Sequence, residues 1–198
     1  MEFNEKKIAS LIEELSLYDD IELLDIPDLD LYMDQIITLF DDKLTHLKRN
    51  DDEKVITKTM INNYAKAKIL MPPIKKKYTK NHIILLILIY NLKQGLSIND
   101  IKLLFTDLIH NLNNENDIEL DKIYESFLQI KKSQADEVCN ELSKKIKLIR
   151  DNTSDLSPNN LELSQMIIAV LSLINESNIR KRLAEKMIDE FFSDNQFK

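Results

Sequence analysis

A chain of 198 residues can bury one sizeable core, or a smaller core plus a helical extension. With 43% apolar and 31% charged residues it is not a disordered chain. One glycine, four prolines and no tryptophan leave too few turn formers for an all-β fold. The net charge of −7 marks an acidic protein, and the single cysteine, Cys139, excludes a disulfide framework and a thiol metal site.

Residues 4–17 place Ile8, Leu11, Ile12 and Leu15 on one helical face. This acidic start lacks the basic flank and apolar centre of a signal peptide, so a cytoplasmic protein is expected. LYDDIELLDIPD follows as a loop, with Pro27 at a turn or helix start, and residues 1–25 read as an N-terminal helix and loop. From 29 to 49, Leu29, Met33, Ile36, Ile37, Phe40, Leu44 and Leu47 recur at steps of three and four, which predicts one amphipathic helix. Thr57 is a good N-cap for a short helix whose polar positions are Lys58, Thr59, Asn62, Asn63 and Lys66, with Met60, Ile61, Tyr64 and Ala65 opposite. That helix has to stop before Pro72 and Pro73.

IKKKY (74–78) has the length of a short hairpin arm, and three adjacent lysines suit an exposed ribbon. Thr79 caps a helix through Lys93. Its run IILLILIYNL (83–92) spans about 15 Å, half a bilayer core, and predicts a buried helix with no membrane span. Gly95 is expected to end it, and Ser97 to cap another through about His110. HNLNNEND (110–117) is the expected domain boundary. Ile123, Phe127, Ile130, Val138, Leu142, Ile146 and Ile149 then predict one long helix over 118–150, with room for a break near Ser133. After a loop, residues 160–175 and 178–192 read as a helical hairpin. His46, His82 and His110 lack ligand spacing, and His82 reads as a helix-surface residue. No metal or other cofactor is implied.

The charge is segregated along this order. Residues 1–53 carry 16 acids against 5 bases and residues 100–198 carry 18 against 13, yet from Lys54 through Asn99 nine lysines meet no acid. An acid-free window of this kind points to a phosphate-bearing or acidic partner. Helix, loop, polar-faced short helix, proline stop, lysine ribbon and two helices is the order of a winged helix-turn-helix. Lysines neutralise phosphate, while asparagine bonds two edges of adenine. Lys58, Thr59, Asn62, Asn63 and Lys66 are the expected recognition-helix contacts, and Lys75, Lys76 and Lys77 the backbone contacts. Tyr78 and Lys80 complete the footprint, with support packing as the other role for Tyr78. The expected fold is thus all-α, with a winged helix-turn-helix core over 26–110, a minimal two-stranded wing, and a C-terminal helical region over 118–198.

This stretch resembles the DNA-binding half of the MerR family of winged-helix regulators. Thr57 matches the family's cap, Ile61 its leucine, Tyr64 its second tyrosine, Ile69 and Leu70 its Leu-Leu pair, and Pro72 its proline. Tyr78-Thr79 resembles the wing's Tyr-Ser, and Gly95 to Ile101 resembles Gly-Phe-Ser-Leu-x-Glu-Ile. The departures are Asn62 for arginine, Ala65 for glutamate, Lys68 for glycine, and a shorter wing. The signature DLDLYMDQI…TKTMINNY…PP…KKKY resembles an uncharacterised bacterial family with a diverged core of this type. The resemblance implies a transcriptional regulator on double-stranded DNA that forms a homodimer through the long helix 118–150; the other reading is a monomer whose helices 118–192 form their own bundle or fold back onto the first domain. It assigns no effector, and the family's metal chemistry does not transfer to a lone Cys139.

Catalysis finds no motif: Gly95 stands alone where a phosphate loop needs several glycines, and the Asp19-Asp20 and Asp41-Asp42 pairs are solvated acids. A non-enzymatic protein is expected. The rival reading is an interaction adaptor whose basic surface docks an acidic protein.

Overall fold

The computed structural model describes residues 5–114 and 118–193. The chain is mostly helical, with α1 (Glu5–Glu14), α2 (Met33–Leu44), α3 (Lys58–Lys66), α4 (Lys80–Leu92), α5 (Ile98–Asn113), α6 (Leu120–Asn152) and α7 (Leu161–Phe191). Two short strands, β1 (Leu31–Tyr32) and β2 (Lys77–Tyr78), form one antiparallel sheet in which Leu31 faces Tyr78 and Tyr32 faces Lys77. Two compact units divide the chain. The larger takes Asp19–Leu128 and the chain from Leu183, and the smaller takes the chain up to Tyr18 with Gln129–Arg182.

The larger unit is built around α4. His82, Ile83, Ile84, Leu85, Leu86, Ile87, Ile89 and Tyr90 are all buried, so the middle of this helix has almost no solvent face and must be enclosed. Ile36, Phe40 and Leu44 from α2, Ile61 and Tyr64 from α3, and Ile101 and Phe105 from α5 share that core. The N-caps fall where the sequence places them. The Met60 amide donates to Thr57 Oγ1 at 3.2 Å, and Ser97 with Asp100 forms a reciprocal capping box.

Several expectations are corrected. The helix expected from 29 begins at Met33, because Leu31 and Tyr32 are drawn into the sheet, and Leu29 is exposed. The separate N-terminal segment 1–25 is divided instead: α1 belongs to the smaller unit, while Ile21 and Ile26 are buried in the core of the larger. The boundary expected at 110–117 falls later. Residues 115–117 lie outside the described residues, but Leu120, Tyr124 and Leu128 are core residues of the larger unit, and the Tyr124 hydroxyl donates to the Ile21 carbonyl. A fully buried tyrosine needs such a partner, and this one ties the loop before β1 to the start of α6.

α6 runs unbroken past Ser133, with 33 residues in all. The hairpin expected within 160–192 is absent, since α7 is one helix of 31 residues. Asn175, Ser177 and Asn178 are weak helix formers without being breakers, and Glu176 is held at 2.6 Å by Lys145. Ile146 and Ile149 of α6 pack with Ile8, Met166, Ile168 and Ala169, and Gln165 donates to Thr153 Oγ1 at 3.0 Å. Among the described residues no helix is long and apolar enough to cross a membrane.

Backbone conformation separates the lone glycine from the place that needs one. Gly95 has no positive φ, and nothing lies within 4 Å of where its Cβ would stand. It therefore is not the left-handed cap expected of it. Lys68 takes that role, with φ 62°, as α3 ends in a Schellman turn: the Ile69 amide donates to the Tyr64 carbonyl and the Lys68 amide to that of Ala65, both at 3.1 Å. Left-handed geometry costs a side chain roughly 1–2 kcal/mol. Lys68→Gly is expected to raise unfolding free energy by about 1 kcal/mol, and Gly95→Ala by about 0.5 kcal/mol, both read from urea midpoints.

Candidate nucleic-acid interface

Burial decides what α3 shows to solvent. Ile61 and Tyr64 anchor one side in the core, so Lys58, Thr59, Asn62, Asn63 and Lys66 are all exposed on the other. Burial pushes the Tyr64 phenol up, as expected of an anchor. Beyond the Schellman turn, Ile69, Leu70 and Met71 return the chain to the core, and Pro72-Pro73 lead it out into the lysine run.

That run is a hairpin with a two-residue tip. Ile74 and Lys77 exchange both amide-to-carbonyl hydrogen bonds at 2.9 Å, and the central residues Lys75 and Lys76 have φ of 51° and 68°. Positive φ at both centres is the requirement of a type I′ turn, which favours Asn-Gly. Here two lysines occupy those positions, both exposed. The lysine ribbon expected at 74–78 is a hairpin of 74–77, and the small two-stranded sheet forms outside it, where β2 pairs with β1 from before α2.

Beneath the turn lies a buried polar node. The Thr79 amide donates to His82 Nδ1 at 3.1 Å, which leaves the proton on Nε2 to donate to the Pro72 carbonyl at 3.2 Å. The edge of one ring meets the face of the other where Tyr78 and His82 pack, 5.6 Å between centroids. His82 is only 2% exposed, so the surface role expected for it is corrected: it pins both ends of the lysine segment to α4. Tyr78, 3% exposed, is likewise a support, which corrects its place among DNA contacts. Burial raises its phenol pKa.

The remaining footprint residues divide. Lys77 is half-buried, its ammonium 5.2 Å from the Tyr32 ring centroid, and Lys80 is half-buried at the start of α4. Asn62 and Lys76 line one cleft of about 340 Å³ together with Tyr32, Met33, Asp34, Pro73 and Tyr78. Asn63, Lys66 and Lys75 do not line it. Sequence reasoning missed Tyr32 and Asp34. The Asp34 carboxylate accepts from Lys58 at 2.6 Å, so an acid from outside the acid-free window enters the basic face. The signal was the alternation Asp28-Leu29-Asp30-Leu31, a strand period inside what reads as a helix. Among the described residues no three His, Cys, Asp or Glu side chains group as a metal site.

The turn and its support are each open to test. Replacing Lys75-Lys76 by Asn-Gly is expected to stabilise the larger unit by about 1–2 kcal/mol, because both left-handed positions then carry residues that adopt them readily. Burial holds the His82 imidazole below its ordinary value of 6.5, against the Pro72 bond and the Asp30 charge, which pull it upward. Folded protein then binds fewer protons than unfolded, so stability is full above pH 6.5 and lost as pH falls through 6.5 toward the folded value. Urea midpoints at pH 7.5 and 5.5 should differ in wild type by more than in His82→Gln, which keeps a donor for Pro72 and does not titrate.

A search of the curated proteins found no match to the chain, and a search of the solved structures found none. A family profile does match, over residues 21–127, which takes in the core around α4, the polar face of α3, the lysine hairpin and the first part of α6. The chain belongs to the family described as Domain of unknown function (DUF1836).

Proposed function

We propose that this chain is a non-enzymatic DNA-binding protein of winged helix-turn-helix type, acting as a transcriptional regulator. The observation that carries the reading is the lysine tip. Lys75 and Lys76 hold left-handed conformations that cost each residue roughly 1–2 kcal/mol, where Asn-Gly would cost little. Strained backbone of this kind concentrates at functional sites. Here the strain presents two ammonium groups at the end of a two-residue turn, the placement suited to a phosphate backbone. α3 supplies the second element: nine residues, capped at its start, with Asn62 and Asn63 flanked by Lys58 and Lys66 on the solvent side. In this reading α3 enters the major groove, its asparagines read adenine, and the wing fixes register without reading sequence. The αL position of Lys68 also falls where MerR-type sequences have glycine, which supports the alignment of the two.

Asp34 favours a second reading. Its carboxylate lies within the same face and pairs with Lys58, and a phosphate approaching there meets an acid. A protein partner with its own cation for Asp34 and acids for the lysine tip would suit that arrangement better, as an adaptor surface does.

Fluorescence anisotropy on duplex DNA over a salt series separates the two. Wild type is expected to bind with affinity that falls steeply as salt rises. Lys75→Ala/Lys76→Ala should lessen the log–log slope by about 2, near 0.9 for each phosphate no longer neutralised. Asn62→Ala is expected to weaken a preferred fragment by about 1–3 kcal/mol while leaving random DNA unchanged. Absence of binding near 50 mM salt removes the DNA reading and leaves the adaptor.

A further inference from the structure

The smaller unit is short of core. Among its described residues, only Ala135, Ile146, Ile149, Thr153 and Gln165 are fully buried, and two of these are polar. A long helical hairpin with one short helix beside it encloses too little apolar surface to be self-sufficient. The unused surface is concentrated on α7. Toward α6 and α1 this helix presents Gln165, Ala169, Ser172 and Glu176. Directly opposite, Leu163, Ile167, Val170 and Ile174 recur at steps of four, three and four, the spacing of a coiled-coil seam. They are 58%, 50%, 59% and 57% exposed, with Leu171 and Leu173 exposed on the flanks. An aliphatic seam on the side of a helix turned away from its own unit's core is ordinarily covered by something else.

We infer that a second copy of this chain covers this seam, the two α7 helices pairing antiparallel about a two-fold axis. Six half-exposed aliphatic side chains, of which Leu173 also lines the cavity on the inner side, expose roughly 600 Å² per copy, so a pair buries at most roughly 1,200 Å², the lower end of stable specific interfaces. The chemistry selects a like partner. From Leu161 to Asn175 Glu162 is the only charge, so the seam offers no charge pattern by which an unlike protein would be chosen, and two copies meet without repulsion. The spacing is also its own complement. With the axis passing between Ile168 and Ala169, Leu163 faces the partner subunit's Ile174 and Ile167 faces the partner subunit's Val170, and the same contacts repeat across the axis, as an isologous interface requires. This assigns pairing to α7 and not to α6, where the resemblance to MerR regulators places it, and it does not depend on DNA binding.

The test is light scattering after size exclusion on the full chain without DNA, from about 5 to 100 µM, a range that resolves micromolar pairing. Wild type is expected at twice the chain mass of 23.2 kDa. Ile167→Asp/Val170→Asp is expected to weaken pairing on the order of 100-fold and give monomer, since each carboxylate would be buried against apolar surface. Circular dichroism checks that the variant keeps its helices. If it does not, Ile167→Cys/Val170→Cys in a Cys139→Ser background replaces it, and oxidation should yield a covalent dimer on a non-reducing gel. Monomeric wild type across the range overturns the inference. So does a dimer indifferent to the aspartates, or one that cross-links through Ile130→Cys/Val138→Cys on α6 and not through α7.

Discussion

A helix apolar on every side cannot rest on a surface, and α4 imposes that condition on the larger unit. Eight of its thirteen residues are buried, including six in succession from His82 to Ile87. Enclosing it takes α2, α3 and α5 together, along with Ile21 from the preceding loop and Tyr124 from the start of α6. Once α3 is committed to that enclosure through Ile61 and Tyr64, its polar residues have only solvent to face. The lysine hairpin is constrained from the same source, because His82 is at once a core residue of α4 and the hydrogen-bond partner of Pro72 and Thr79. Exposed charge is therefore positioned by buried contacts, with little demand on the charges themselves.

Local signals were the most legible part of the sequence. Thr57 and Ser97 mark helix starts because a side-chain oxygen there satisfies an amide that would otherwise lack a partner, and at Thr79 the cap's own amide is held by His82. The polar and apolar sides of α3 follow from spacing alone, as does the hairpin at IKKKY. Long-range partners were not legible. Nothing near Leu31 says that its strand will pair with Tyr78, forty-seven positions later, and nothing near Ile21 says that Tyr124 will meet it. The apolar spacing from 29 to 49 was genuine, but it belongs to a helix that starts four residues later. The alternation before it, which marks the strand, was hidden under that longer pattern.

The boundary between the units shows a different limit. Asparagine-rich HNLNNEND has the composition of a linker, and composition reports what a segment fails to bury. It does not report that the helix after it begins by contributing to the core before it. The length of α7 escapes the sequence for a related reason: Asn175, Ser177 and Asn178 lower helix propensity without removing a hydrogen bond, and packing along α6 outweighs a few tenths of a kcal/mol at each. The pattern also explains why one long helix reads as two short ones. The buried and exposed seams of α7 lie on opposite sides, and a single-face template matches neither over its whole length.

The lysine tip has a consequence for proteolysis. Three adjacent lysines on an exposed loop would ordinarily make the most vulnerable trypsin site in a chain. A protease of that class needs several residues in extended form, and Lys75 and Lys76 are held in a left-handed turn closed by two hydrogen bonds of 2.9 Å. Cleavage there requires the hairpin to open, which means losing the pairing of β2 with β1 and disturbing the bonds of His82. The rate of nicking at this run thus reports local opening of the hairpin, and the region richest in lysine is among the better protected as long as the node beneath it stays closed.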